Sequence, residues 1–260
     1  MLTLKTGFYL FMVGGIFLSS GFSSEEKDFE SSTRTAVIVV DLQADFTLGG
    51  PLPVPNSGKD YIEGVDSATR KFKGQGFRIF ATQDWHPKGH ISFYTSHKGK
   101  NVLDEVPIQD KESPVSDASQ QQFERLQTLW PPHCVQGTEG ADILLPTQGL
   151  EKLIEVVVQK GMHADYDSYS GFQDDGGNET PLNEMLKQIG VEKVVIYGIA
   201  TDYCVKATVI DALKRNYKTS LITSLSRGVK PESTQEAIQD MKKAGAALYE
   251  TVEDFLADAG

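Results

Sequence analysis

Four residues with reactive side chains follow four separate apolar segments of the 260-residue sequence, and together they could perform nucleophilic catalysis. They are Asp41, Asp84, Lys160 and Cys204. Each lies within a few residues of the end of a short, β-branched run that is typical of a buried strand. Ligands of open parallel sheets bind beyond the carboxyl ends of the strands, so these side chains are expected at one site. Taken singly, each has an ordinary explanation as a capping carboxylate, a solvated lysine or a structural cysteine.

Cys204 is the candidate nucleophile, because it lies at the start of a predicted helix. If Thr201 is the N-cap residue, Cys204 is the third helical residue, and the helix dipole lowers the pKa of its thiol. A nearby lysine would lower this pKa further and make a thiolate available near neutral pH. The other cysteine, Cys134, is predicted to be structural, with both thiols reduced in the active protein. Two cysteines are too few for a disulfide framework.

A second cluster has the residue types of a metal site. Asp84, His86 and His90 lie close together in the segment DWHPKGH, and carboxylate with imidazole suits a divalent ion such as zinc, manganese or iron. His133, in the segment WPPHC, could complete the ligand set from a distance. Because Asp-x-His is a weak motif, the spacing alone leaves metal binding open.

Alternating strands and helices must position these residues. The predicted strands cover 36–40, 77–81, 155–158, 194–197 and 220–223, with a weaker one at 247–249. The predicted helices cover 57–73, 180–188, 201–215 and 233–243, the last with a capping box of Ser233 and Glu236. This alternation predicts an α/β fold of three α/β/α layers around a mostly parallel sheet of roughly six strands.

Residues 92–132 interrupt the alternation, because the segment is long, polar and poor in periodicity. A structureless segment of this length inside a domain is uncommon and often functional, for example as a lid. The alternative is a disordered insertion. The sequence leaves the role of this insert open.

The N-terminal residues have the pattern of a secretory signal. Lys5 precedes an apolar run over residues 7–22, and small residues follow it. We therefore expect a signal peptide at 1–23, a linker at 24–34 and one domain at 35–260, exported and periplasmic. The alternative is a retained anchor in the inner membrane, although the run is shorter than the roughly 20 residues of a comfortable span. A cytoplasmic location is less favoured.

The amino-acid composition excludes some classes of binding partner. With 25 Lys and Arg against 36 Asp and Glu, the net charge is −11, which argues against a sequence-independent nucleic-acid binder. Without the N-terminal segment, no membrane partner is expected for the mature domain. The oligomeric state stays open between a monomer and a homo-oligomer.

Five segments together resemble the nicotinamidases, also called pyrazinamidases, of the isochorismatase-like cysteine hydrolases. The resemblance runs from about residue 35 to the C-terminal region, so it covers nearly the whole expected domain. The matching segments are VVDLQADF (Val39–Phe46), TQDWHPKGHISF (Thr82–Phe93), LWPPHCVQGTEGA (Leu129–Ala141), QKG (Gln159–Gly161) with DSYSGF (Asp167–Phe172), and GIATDYCVKATVIDAL (Gly198–Leu213).

The resemblance implies a role for each motif within a Rossmann-like, isochorismatase-like fold. It implies a catalytic triad of Asp41, Lys160 and Cys204, and an oxyanion hole made by the N–H groups of Ala200 and Cys204. It implies one divalent metal, most typically zinc with iron or manganese as alternatives, on Asp84, His86 and His133, and leaves open whether His90 is a ligand. It also implies that Phe46, Trp130 and Tyr169 surround the substrate ring, and that a cis peptide joins Ile199 and Ala200.

The activity implied by this resemblance is metal-dependent hydrolysis of nicotinamide to nicotinate and ammonia through a cysteine thioester, with pyrazinamide as a further substrate. One alternative is a related amidase or isochorismatase-type hydrolase that acts on another small substrate. Another is a non-catalytic envelope protein that binds a ligand or a partner. That alternative predicts a degraded triad, whereas this sequence has all three residues.

Overall fold

The structure is a computed structural model that describes residues 34–108, 125–149 and 151–259. The expected signal peptide at 1–23, and the expected linker except for its last residue, lie outside the described residues. Within the described ranges, no helix combines the length and the apolar character needed to cross a membrane.

Strands and helices alternate along the described chain, as the sequence predicts. The strands are β1 (Thr35–Val40), β2 (Arg78–Asp84), β3 (Glu105–Ile108), β4 (Arg125–Thr128), β5 (Val156–Lys160), β6 (Lys193–Ile199), β7 (Lys218–Arg227) and β8 (Ala247–Tyr249). The α-helices are α1 (Lys59–Gly74), α2 (Leu182–Gln188), α3 (Lys206–Lys214), α4 (Pro231–Lys243) and α5 (Val252–Ala259). All six predicted strands are present, and each predicted helix has an observed counterpart.

A six-stranded parallel sheet forms the centre of the fold, in the order β5-β2-β1-β6-β7-β8. The strand order reverses between β1 and β6, so the chain leaves these two neighbours in opposite directions. In such sheets a crevice opens beyond the carboxyl ends of the strands at the reversal. Asp41 follows β1 directly, and Cys204 follows β6, so both lie at this crevice.

Helices cover both faces of the sheet because its central strands are buried on both sides. All six residues of β1 are buried, and their side chains alternate between two hydrophobic cores. Val37 and Val39 pack in the core that includes α1 and α5, whereas Ala36, Ile38 and Val40 pack in the core of α2, α3 and α4. The three-layer prediction is therefore confirmed.

The insert at 92–132 contains more structure than its polar sequence suggests. Its described part includes a 3₁₀ turn at Tyr94–Ser96 and an antiparallel hairpin of β3 and β4, and residues 109–124 lie outside the described ranges. Ser92, Phe93, Leu129 and Trp130 are buried. The ends of the insert therefore belong to the packed domain, which differs from the expected structureless loop.

Two predicted helix starts are wrong. Helix α4 begins at Pro231 with Lys230 as its N-cap, so Ser233 lies inside the helix and forms no capping box with Glu236. Its hydroxyl instead donates to Asp202 Oδ2 at 2.5 Å. The expected helix start at Thr201 is a π-helical turn over Thr201–Val205 with Ala200 as its N-cap, and α3 follows it.

Candidate active site

The four strand-end residues meet around one buried ammonium group. Lys160 is the last residue of β5, and its Nζ lies 3.0 Å from Asp41 Oδ2, 2.5 Å from Asp84 Oδ1 and 3.5 Å from Cys204 Sγ. It also donates to the carbonyl of Ser168 at 2.6 Å. Carboxylate oxygens of Asp41 and Asp84 and the sulfur of Cys204 all lie within 4.8 Å of one another. The topology therefore brings together the residues that the sequence predicts for catalysis.

The backbone conformation of Asp41 and two hydrogen bonds with Thr82 orient its carboxylate. Asp41 has a φ of 47°, a left-handed conformation that is uncommon outside glycine, directly after β1. Thr82, in the neighbouring strand β2, donates its hydroxyl to Asp41 Oδ1 at 2.6 Å and accepts the Asp41 amide at 3.2 Å. Asp41 Oδ2 faces the ammonium of Lys160 at 3.0 Å and accepts no well-aligned hydrogen bond from the described residues, so it keeps lone pairs that can accept a proton.

The charges of the centre tune Asp41 for proton transfer. Burial raises the pKa of Asp41 to about 6, although Lys160 opposes this effect, and Asp84 adds to it. Burial also disfavours the charged form of Lys160, but Asp41 and Asp84 more than offset this and hold the pKa of Lys160 well above its usual value. Near neutral pH the site therefore contains a carboxylate base beside a permanent ammonium.

Cys204 is a buried thiol rather than the activated thiolate that the helix-dipole argument predicts. Burial raises the pKa of Cys204 well above its usual value, and Asp41 and Asp84 raise it further, whereas Lys160 lowers it. The expected lowering is wrong because it ignores desolvation in a site with two carboxylates. A protonated thiol needs a base, and the carboxylate of Asp41 is close enough to serve as one.

The turn that carries Cys204 begins with an unusual backbone. The peptide between Ile199 and Ala200 is cis, as the resemblance implies. Gly198, with a φ of 137°, passes so close to β1 that a Cβ would lie 2.1 Å from the carbonyl oxygen of Val40. The carbonyl of Ala200 accepts the amides of Tyr203 and Val205, which closes the turn around the pocket. The role of the Ala200 and Cys204 N–H groups as an oxyanion hole stays a prediction.

Asp84, His86 and His133 form a compact donor set beside the triad. All three are buried, and one ligand atom from each lies within 4.8 Å of the others. His86 Nδ1 is hydrogen bonded to the carbonyl of Gly161 at 2.9 Å, and His133 Nδ1 to that of Pro131 at 2.8 Å. Because a carbonyl only accepts, each Nδ1 carries a proton, and in its neutral form each ring then offers the Nε2 lone pair to a metal. One carboxylate and two imidazoles fit a divalent ion such as zinc.

A glycine and a buried glutamine hold these donors in place. Gly161 has a φ of 63°, and a Cβ there would lie 2.4 Å from the His86 ring, so this position requires glycine. The buried side chain of Gln43 accepts the Asp84 amide at 2.8 Å and donates to the Asp84 carbonyl at 2.8 Å. The ligand positions therefore depend on two residues that a search for metal donors would not select.

His90 lies next to the donor set but is hydrogen bonded at both ring nitrogens. Its ring stacks on His86 with centroids 4.1 Å apart. Nδ1 lies 2.7 Å from Ser92 Oγ and Nε2 lies 3.1 Å from the carbonyl of Tyr166. Because the Tyr166 carbonyl occupies Nε2, this arrangement favours Asp84, His86 and His133 over a set that includes His90.

A small pocket opens beside Cys204 and the donor set. It contains about 430 Å³ of empty space, a figure that includes its open mouth. Phe46, Trp130 and Tyr169, the residues expected around a substrate ring, line it. Trp130 Nε1 donates to Tyr169 Oη at 3.1 Å, which fixes two of the three walls relative to each other.

Other lining residues are missing from the sequence prediction. They are Leu52, Val54, Asp167, Ala200 (assigned only as an oxyanion donor), Tyr203 and Val229. Tyr203 packs edge-on against Trp130 with ring centroids 4.9 Å apart, and its place beside Cys204 in the sequence was an available signal. Val229 has no such signal, because it comes from the distant β7–α4 connection. Its amide donates to Asp202 Oδ1 at 2.9 Å, which ties it to the nucleophile turn.

Cys134 has structural surroundings. It is fully buried, its amide donates to Asp45 Oδ2 at 2.7 Å, and its carbonyl accepts the His86 amide at 3.0 Å. Burial raises the pKa of its thiol well above the usual value. Cys134 and Cys204 are both free thiols.

Comparisons with known proteins agree with this geometry. Residues 35–253 match the isochorismatase domain family. The chain is similar to the nicotinamidase of Escherichia coli, with 39% identity over 222 residues, 82% of this chain and 93% of that protein. It resembles the solved structure of the yeast nicotinamidase bound to the inhibitor nicotinaldehyde, with TM-score 0.74 and 29% identity over 84% of this chain and 100% of the other. It also resembles the pyrazinamidase of Pyrococcus horikoshii in complex with zinc, with TM-score 0.64 and 36% identity over 84% and 99% of the two chains.

Proposed function

The chain belongs to the isochorismatase family, and we propose that it is a nicotinamidase that hydrolyses nicotinamide to nicotinate and ammonia. The observation that carries this proposal is the position of Lys160 Nζ, between Asp41, Asp84 and the sulfur of Cys204 in one small aromatic pocket. The similarity to nicotinamidases over most of the chain supports the choice of substrate.

The first half of the reaction forms a thioester. Asp41 accepts the proton of the Cys204 thiol, and the sulfur attacks the carboxamide carbon while the carbonyl electrons move to the oxygen. The backbone N–H groups of Ala200 and Cys204 hold this oxyanion, a contribution of roughly 3–4 kcal/mol per donor in comparable sites. As the intermediate collapses, the C–N bond breaks and Asp41 returns its proton to the departing nitrogen. Ammonia leaves, and the acyl group stays on Cys204.

The second half regenerates the enzyme. Water gives a proton to Asp41 as its oxygen attacks the thioester carbon. The C–S bond then breaks and the proton on Asp41 returns to the sulfur of Cys204. The acid that leaves gives its remaining proton to water and becomes nicotinate. Throughout the cycle the ammonium of Lys160 stabilises whichever of Asp41 and Cys204 carries the negative charge.

Ring binding uses the other wall of the pocket. Phe46, Trp130 and Tyr169 enclose an aromatic ring of the size of a pyridine. Asp84, His86 and His133 would hold a divalent ion, for which we propose zinc, and its positive charge would hold the ring nitrogen of the substrate. Pyrazinamide has the same carboxamide and a nitrogen in the same ring position, so we expect it to be a second substrate; the similarity to a zinc-bound pyrazinamidase supports both expectations.

One assay separates this function from its alternatives. We expect ammonia release from nicotinamide by the wild-type protein, its loss on treatment with a chelator, and its return when zinc is added back. A Cys204→Ala variant should be inactive. Activity on another small amide or on isochorismate, without activity on nicotinamide, would instead favour the related-hydrolase alternative. A protein that hydrolyses none of them and resists selective alkylation at Cys204 would favour the ligand-binding alternative.

We further propose that the protein is exported. The proposal rests on the basic start, apolar run and small residues of segment 1–23, and it places nicotinamide hydrolysis outside the inner membrane. Cell fractionation with an antibody against the domain would test it. A processed form in the periplasm is expected, a full-length form in the membrane would favour the retained anchor, and a full-length form in the cytosol would refute export.

A further inference from the structure

Asp167 lines the substrate pocket, yet neither the triad nor the metal donor set includes it. It is 4% exposed, and its Oδ1 accepts the Ser168 amide at 2.8 Å. A carboxylate oxygen of Asp167 and one ring nitrogen each of His86 and His90 all lie within 4.8 Å of one another. The described residues give Asp167 no salt bridge, because the nearby Lys160 pairs with Asp41 and Asp84 instead. Asp167 is therefore a buried carboxylate beside a metal-ligand histidine.

The side chain that holds Asp167 comes from the insert. Gln127, on β4, is 1% exposed, and its Nε2 donates to Asp167 Oδ2 and to the carbonyl of Thr128, both at 2.9 Å. Two acceptors around Nε2 fix the orientation of the amide. Its Oε1 is consequently buried without a hydrogen-bond donor among the described residues. An apolar side chain would avoid this cost, so the contact with Asp167 best explains a glutamine at this position.

The net charge of the site suggests that Asp167 compensates for positive charge. Asp41, Asp84 and Lys160 together carry one negative charge, because the ammonium of Lys160 cancels one of the two carboxylates. A divalent ion on Asp84 would bring two positive charges close to that ammonium, and repulsion between buried charges is only weakly screened. The carboxylate of Asp167 brings the net charge of the group to −2, which matches the charge of a divalent ion.

We propose that Asp167 is an outer carboxylate of the metal site that compensates for the charge of Lys160, and that Gln127 is a positioning residue that holds it there. The hairpin of the insert is thereby a structural part of the metal site rather than a lid alone. This inference rests on the metal requirement of the proposed function.

Three variants separate the charge from the contact. Asp167→Asn removes the charge but keeps nearly the same side-chain shape. Gln127→Met keeps the charge but removes the contact that holds it. The double variant D167N/Q127E moves the carboxylate from position 167 to position 127 and keeps a hydrogen bond between them. Gln188→Met, at an exposed position in α2, is the matched control.

The experiment is calorimetric titration of each metal-free protein with zinc, with thermal unfolding of the same samples to show that they are folded. D167N should weaken zinc binding by about tenfold or more, the usual effect of losing an outer-shell partner. Q127M should weaken it in the same direction, D167N/Q127E should recover part of the loss, and Q188M should bind like wild type.

The inference is overturned if folded D167N and Q127M bind zinc with the wild-type Kd, or if the double variant binds no better than D167N. Ammonia release from nicotinamide is measured on the same wild-type sample. If the wild-type protein is active and binds zinc, and D167N binds zinc with the same Kd, this inference alone is refuted. A wild-type protein that binds no divalent ion refutes the metal requirement and the inference together.

Discussion

The hydroxyl of Thr82 should set the lower pH limit of the reaction. Asp41 must be ionised to accept the Cys204 proton, so kcat/KM should fall as the pH drops through the Asp41 pKa of about 6. Thr82 donates to the ionised form at 2.6 Å inside a fully buried site and thereby lowers this pKa. Replacement of Thr82 by Val removes that donor and leaves a side chain of nearly the same shape.

The size of the effect follows from the strength of this hydrogen bond. A hydrogen bond to a charged group is worth about 1.5–3 kcal/mol, and 1.36 kcal/mol corresponds to one pKa unit. Thr82→Val should therefore move the acid limb of kcat/KM from about pH 6 to roughly pH 7–8. The variant also leaves the Asp41 amide without its acceptor, so we expect a loss of about 1–3 kcal/mol in the free energy of unfolding.

The assay is ammonia release from nicotinamide between pH 5 and pH 9, as kcat/KM, for the wild type, Thr82→Val and Thr82→Ser. Thr82→Ser keeps the hydroxyl and loses only the methyl group, so its acid limb should stay close to that of the wild type. A folded Thr82→Val with an unshifted acid limb would show that Asp41 is not the titrating base. An equal shift in Thr82→Ser would show that packing, not the hydrogen bond, is responsible.

Three further substitutions test other parts of the site. Lys160→Met leaves two buried carboxylates without their cation. We therefore expect loss of ammonia release and, in denaturant titration, a decrease of about 3–5 kcal/mol in the free energy of unfolding. Wild-type activity in this variant would contradict the role given to the Lys160 charge. Asp202→Ala removes the hydrogen bonds that hold the loop of Val229. It should raise KM for nicotinamide by about tenfold, the equivalent of one hydrogen bond, and leave the rate of Cys204 alkylation by iodoacetamide unchanged. Slower alkylation would mean that Asp202 positions the nucleophile instead. Cys134→Ala should retain turnover, and its inactivity in a folded protein would contradict a purely structural role.

Much of the fold was predictable because burial leaves a clear pattern in the strands. Strand β1 is apolar at residues 36–40 because both faces of the sheet are covered, and Asp41 interrupts this run where the chain leaves the sheet. Parallel topology then places every strand-end residue at the same edge. This rule predicts that Asp41, Lys160 and Cys204 meet, although it does not give the distances between them.

The parts that the sequence did not predict depend on contacts between distant segments. Gln127 lies in a polar stretch without periodicity, so nothing local indicates that Asp167 draws it into the interior. Ser233 has the spacing of a capping residue, but Asp202, about thirty positions earlier, takes its hydroxyl. The pKa of Cys204 was predicted in the wrong direction because the helix dipole is visible in the sequence, whereas the burial of the thiol between two carboxylates is not.

The central claim is that Cys204 carries the acyl group of the substrate during turnover. Acid quenching of the protein during steady-state hydrolysis of nicotinamide, followed by mass spectrometry of the intact chain and its peptides, tests this directly. We expect a nicotinoyl adduct on the peptide that contains Cys204, and neither adduct nor ammonia release in Cys204→Ala. Wild-type turnover by Cys204→Ala, or an adduct located on Cys134, would contradict the account.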